Sequence, residues 1–151
     1  MARRAAGLLR VAHPFPSALD AIAIVAIAAI VGAAPSVAAR LGLGMLLLQF
    51  AIGIANDLSD APADALAKPR KPIPAGLLTR RQAGVALCVA GSGGLLAAAS
   101  VGPPALVTGV VGLADGLLYD LRLKGTALSW MPFSAGVALM PVYAWWGATG
   151  S

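Results

Sequence analysis

Four stretches without a single charged residue, 21–39, 41–55, 82–114 and 125–151, constrain this chain more than any other feature of its sequence. Runs of this length suit a bilayer, whose hydrocarbon core of about 30 Å takes about 20 helical residues. Helices are the required form, because a backbone in lipid must satisfy its own hydrogen bonds. The third stretch is too long for one crossing and contains Gly102-Pro103-Pro104, where neither proline can donate a backbone hydrogen bond. Dividing it there predicts five spans near 18–38, 41–60, 80–101, 104–121 and 126–147. The expected fold class is an all-α, multi-pass transmembrane helical bundle of about five helices, with residues 1–151 forming one incomplete domain.

Composition agrees with this reading, since 59% of the chain is hydrophobic and only 11% charged. The mean hydropathy of +0.84 lies outside the range of ordinary soluble domains. Eighteen glycines offer small contact surfaces for helices meeting in lipid. A net charge of +5 could suggest a nucleic-acid partner, but the bases sit in a few short loops with no recognisable nucleic-acid module, so none is expected. Instead, the bases give an orientation. With the N-terminus cytoplasmic, Arg3, Arg4, Arg10, Lys68, Arg70, Lys71, Arg80, Arg81, Arg122 and Lys124 fall inside and only Arg40 outside. Trp145 and Trp146 then anchor the far interface. The first run, although preceded by arginines, is long enough to be retained as a helix rather than removed as a signal peptide. The single cysteine, Cys88, lies in an apolar run and reads as a small packed or lipid-facing residue.

Against this apolar background, residues 56–76, NDLSDAPADALAKPRKPIPAG, gather acids and then bases. An Asp in the middle of a membrane helix costs roughly 2.5–3.5 kcal/mol on insertion scales, so three together must face water, protein or a cation. At about 100° per residue, positions 56, 57, 60 and 64 fall at roughly 0°, 100°, 40° and 80°, on one helix face. Pro62 is expected to end or kink the helix before Asp64, which makes Asn56, Asp57 and Asp60 the firmer set. Hard oxygen donors suit Mg²⁺, which commonly combines one or two carboxylates with substrate phosphates. Lys68, Arg70 and Lys71 follow in position to meet the remaining phosphate charge. Further along, Tyr119 and Lys124 lie at a helix end, where a phenol and an ammonium can both donate to phosphate oxygens or simply sit at the interface. Asp115, one turn before Tyr119, can orient that tyrosine, line an acceptor pocket or pair with a base. His13 has no second His or Cys near it in sequence and reads as interfacial.

The pattern Asn56-x-x-x-Asp60-x-x-x-Asp64 followed by KPRKPIPAG resembles the first aspartate-rich motif and loop of the UbiA superfamily of intramembrane prenyltransferases. HPFPSALDA at 13–21 is similar to the start of that family's first helix, and LLYDLRLKGTALSWMPF at 117–133 to its Tyr and Lys segment. The resemblance implies Mg²⁺ as cofactor, held by Asn56, Asp57, Asp60 and Asp64. It also implies an isoprenyl diphosphate bound by Lys68, Arg70, Lys71, Tyr119 and Lys124, with Asp60, Asp64 and Lys124 central to catalysis. The prenyl group would pass to an aromatic or other lipid-soluble acceptor. Members normally have nine helices and a second aspartate-rich motif on the sixth. This chain stops after the fifth, so it is expected to be the N-terminal part of that fold, a fragment or one half completed by a second chain.

Two other classes compete. CDP-alcohol phosphotransferases also use intramembrane aspartates with a metal, but only Asp115-Gly116 matches their signature and its downstream aspartates do not follow. A non-catalytic membrane subunit or small transporter would use the acids as an ion or proton path.

Overall fold

The computed structural model describes residues 2–150, with side chains from Arg4 onward; Arg3, counted above among the inner bases, has its side chain outside that range. Among the described residues there are helices and turns and no strand: α1 Ala2–Val11, α2 Pro14–Ile30, α3 Pro35–Ala67, α4 Arg80–Ala99, α5 Pro103–Leu118, a π-helical turn Tyr119–Leu123, and α6 Trp130–Thr149.

Proline sets most of these boundaries. The residue before a proline avoids the right-handed helical region, and His13, ahead of Pro14, takes φ 50° and ψ 60°. α1 and α2 consequently meet at a bend of 54°. Pro35 likewise opens α3, so the first span ends at Ile30 and the second begins at 35, where the sequence reading had run one span through to 38. Gly32, at φ +83°, supplies the turn between them. The expected break at 102–104 is present, with α4 ending at Ala99 and α5 starting at Pro103. Thr79 and Gln82 form a reciprocal capping box at the start of α4.

Pro62 does not end its helix. Contrary to the expectation, α3 continues past it to Ala67, and Asp64 is buried within the helix. α3 packs against α2 and α4 and also touches α5, so its neighbours hold the helix together where one backbone bond is lost. At 33 residues it is about 50 Å long, well beyond a 30 Å hydrocarbon core. Its surplus end carries the acids.

Three helical segments, Pro35–Ala67, Arg80–Ala99 and Pro103–Leu123, are each long and apolar enough to cross a membrane, and the bent pair Arg4–Val11 with Pro14–Ile30 makes a fourth. α6 runs beside α5 and α2 with Pro141 in its interior, and it is not among the segments that meet those criteria. Outward-facing side chains such as Ile22, Ile30, Val89, Leu96 and Val137 are exposed and apolar, as a lipid-facing surface requires. Cys88 is also exposed.

Between the helices, small residues allow close approach. A Cβ placed on Gly94 of α4 would lie 2.8 Å from Leu48 Cγ and 3.0 Å from its backbone N on α3. One buried cluster, including Ile24, Leu41, Met45, Ala105 and Tyr143, ties α2, α3, α5 and α6 together. A second, of Val11, Ile54, Leu78 and Ala83, packs α1 and the 68–79 loop under the acid-bearing half of α3.

Candidate functional site

The C-terminal half of α3 presents Asn56, Asp57, Asp60 and Asp64, and each engages a lysine delivered from elsewhere. Lys71, in the loop after α3, donates to Asp57 Oδ1 at 2.7 Å and lies 2.7 Å from Asp64 Oδ2. Lys124, just past the π-helical turn, donates to Asn56 Oδ1 and to Asp60 Oδ2. The four groups are therefore divided into two pairs, one per ammonium. Sequence reasoning expected one convergent set. The helical wheel explains the division, because 56 and 60 are angularly adjacent at roughly 0° and 40°, and 64 and 57 at roughly 80° and 100°.

Burial differs between the pairs. Asp57 and Asp64 are almost wholly enclosed, whereas Asp60 and Lys124 keep 26% and 33% of their side chains exposed. The Asp57–Lys71–Asp64 group is thus the drier of the two. Burial works to lower the pKa of Lys71, but the hydrogen bond it donates to Asp57 and the attraction of the Asp57 and Asp64 charges outweigh it and hold the ammonium above its ordinary 10.5.

His13, read as interfacial, has its Nε2 3.2 Å from Asp57 Oδ1. Only the left-handed residue at the bend between α1 and α2 carries it there, a contact across 44 positions with no sequence signal. Lys68 stands at the edge of the group, 3.9 Å from Asp64 and largely exposed. Arg70 is also exposed and joins through its backbone, its carbonyl accepting from Arg10 Nη2 at 3.0 Å. Asp120, on the π-helical turn, is buried with no hydrogen-bond partner for Oδ2.

Tyr119 is part of a different feature. It lines a cavity of about 410 Å³ bounded by α2, α3, α5 and α6, together with Asp115, Ile52, Phe133, Met140 and Tyr143. The cavity and the lysine-bridged pairs share two elements. Ile52 lies one turn before Asn56 on α3, and Tyr119 lies five residues before Lys124. Sequence reasoning missed Asp20 and Gln49, which also line the cavity and hydrogen-bond to each other at 2.7 Å. An ionisable residue within an apolar helix is the signal that could have found Asp20.

Among the described residues, no three His, Cys, Asp or Glu side chains form a metal-ligand group. The donors nonetheless fit a hard cation. Each ammonium sits between two oxygens and brings them positive charge, as a divalent ion held by the same oxygens would.

A model of the UbiA prenyltransferase family matches residues 18–151. A solved structure of digeranylgeranylglyceryl phosphate synthase shares the fold with a TM-score of 0.90 at 14% sequence identity. The match covers 97% of this chain and 54% of that one, so the chain spans about half the length of its structural neighbour. No curated protein matches it in sequence. With helices of membrane-spanning length and a family match over most of its residues, this integral membrane protein belongs to the UbiA prenyltransferase family.

Proposed function

We propose that the chain supplies the N-terminal half of an Mg²⁺-dependent intramembrane prenyltransferase, binding an isoprenyl diphosphate at the polar end of α3 and passing its prenyl group to an aromatic or other lipid-soluble acceptor. The observation that carries this reading is the pair of lysine-bridged oxygen sets on α3 and the 119–124 segment, the same two elements that supply Ile52 and Tyr119 to the cavity wall. Asn56, Asp57, Asp60 and Asp64 would hold the metal, with Asp60, Asp64 and Lys124 closest to the chemistry. Mg²⁺ bound there supplies positive charge for the departing diphosphate.

The chain's own residues do the rest. Lys71 and Lys124, released from the acids, turn their ammonium groups to phosphate oxygens, with Lys68 and Arg70 adding charge from the exposed side. The Tyr119 hydroxyl donates from the cavity side. As the allylic C–O bond breaks, its electron pair leaves with the diphosphate, and apolar walls such as Ile52, Leu113 and Phe133 keep water from the carbon left behind. The helices beyond this half come from a further segment or a second chain. The N-terminus is cytoplasmic in this reading, which is supported by Arg40, the lone outer base, bonding the carbonyl of Ser100 at the opposite end of the bundle from the acids.

Binding of farnesyl diphosphate to the purified chain, with and without Mg²⁺, tests the proposal. Binding is expected to require Mg²⁺, to weaken about 100-fold in Asp60→Asn, and to be unchanged in Arg81→Gln on the exposed start of α4. Farnesyl diphosphate binding that ignores both Mg²⁺ and Asp60, or ion flux without any such binding, would sink it.

A further inference from the structure

The cavity wall carries six polar side chains, and their hydrogen bonds leave it with an unbalanced chemistry. Thr108 spends its hydroxyl proton on Pro104 O at 2.8 Å, and Tyr143 spends its own on Leu41 O at 3.2 Å. Gln49 donates one amide N–H to Asp20 Oδ2, which leaves it a second N–H and its carbonyl oxygen as an acceptor. Asp20 keeps a second oxygen, and Asp115 also lines the cavity, its Oδ2 3.4 Å from where a Cβ on Gly136 would stand. Tyr119 is then the one wall hydroxyl not bonded to the backbone. No Lys, Arg or His lines the cavity among the described residues.

Such a wall has more acceptors than donors, the donors being the Tyr119 hydroxyl and the second Gln49 N–H. Two carboxylates without a cation are costly in a membrane interior, so a ligand that donates to them relieves an existing deficit. A ligand that brings a third carboxylate adds repulsion, with no cationic side chain among the described residues of the wall to offset it.

We propose that this cavity seats the head of the acceptor, and that Asp20, Gln49 and Asp115 select a neutral or cationic hydrogen-bond donor, an alcohol, phenol or amine, over an acceptor bearing a carboxylate. The selection comes from three helices at once, α2, α3 and α5, and it rests on the prenyltransferase reading given above.

The test titrates the purified chain in detergent micelles by equilibrium dialysis, against protein-free micelles, with 2-naphthol and with 2-naphthoate. The two probes share a ring system and differ in the polar group. We expect 2-naphthol to bind about tenfold more tightly. Asp20→Asn and Asp115→Asn should each narrow that ratio by admitting 2-naphthoate. Equal or tighter binding of 2-naphthoate by the unsubstituted chain overturns the proposal and requires no variant. A ratio unmoved by both substitutions, in proteins that keep the parent unfolding temperature, overturns it as well. Mg²⁺-dependent binding of farnesyl diphosphate in the same samples separates the two levels. If it is present while 2-naphthoate is preferred, selectivity alone fails; if it is absent, the acceptor assignment falls with the prenyltransferase reading.

Discussion

The two ends of α3 are held by different physics. Toward its start, Leu41, Met45 and Leu48 lock against Gly94, Ala105 and Tyr143 mainly through shape, with backbones close enough that one added carbon collides. Toward its end, Asn56, Asp57, Asp60 and Asp64 are held by two long lysines that reach in from separate loops. Steric contacts have one solution, and they fix the frame. An ammonium can exchange one set of oxygens for another with little movement of the backbone, which suits an end that must let a charged ligand in and out.

The largest effect that would break this contrast is loss of Asp57, which serves both Lys71 and His13. Asp57→Ala should cost about 3 kcal/mol, at the low end for a broken buried pair because Lys71 keeps some solvent contact. Unfolding in mixed detergent measures it, and a double-mutant cycle with Lys71→Ala should recover most of the loss as coupling. No coupling would mean that Asp57 matters by packing, like the other end.

At the steric end, Gly94→Val should destabilise by about 2 kcal/mol through overpacking against Leu48 while leaving diphosphate affinity unchanged. A fall in affinity without a fall in stability would erase the division between frame and site. Tyr143→Phe removes the bond to Leu41 O, whose carbonyl belongs to α3, and should cost about 1 kcal/mol in the same assay.

The smallest effect expected is a dependence on pH. Because the Lys71 pKa is raised in the folded protein, its contribution to stability is fully present below 10.5 and is lost as pH rises through the higher native value. Unfolding followed from pH 9 to 12 should decline more steeply in the parent than in Lys71→Met; parallel curves would contradict the bridging role.

Much of the frame was legible because its signals are local. Apolar run length, the Gly102-Pro103-Pro104 break and the acid-then-base order between 56 and 72 are each read within a few turns of chain. Pro35 was equally local and was overlooked, although it cannot continue a helix from Ile30 without losing a backbone bond. Pro62 carried the same signal with the opposite outcome, because packing on both sides of α3 overrides it. His13 with Asp57 and Asp20 with Gln49 were not legible, since they join residues 44 and 29 positions apart.

By itself, then, the sequence determined that this chain crosses membranes as helices and collects its charge at one end of the bundle, because lipid penalises bare backbone and bare charge wherever the chain passes. Tertiary structure alone decided which oxygens share which lysine and which acids face the cavity. A lysine side chain is long enough to reach many acids, and only the packing of α3 among its neighbours brings Asp57 and Asp64 to Lys71 and Asp60 to Lys124.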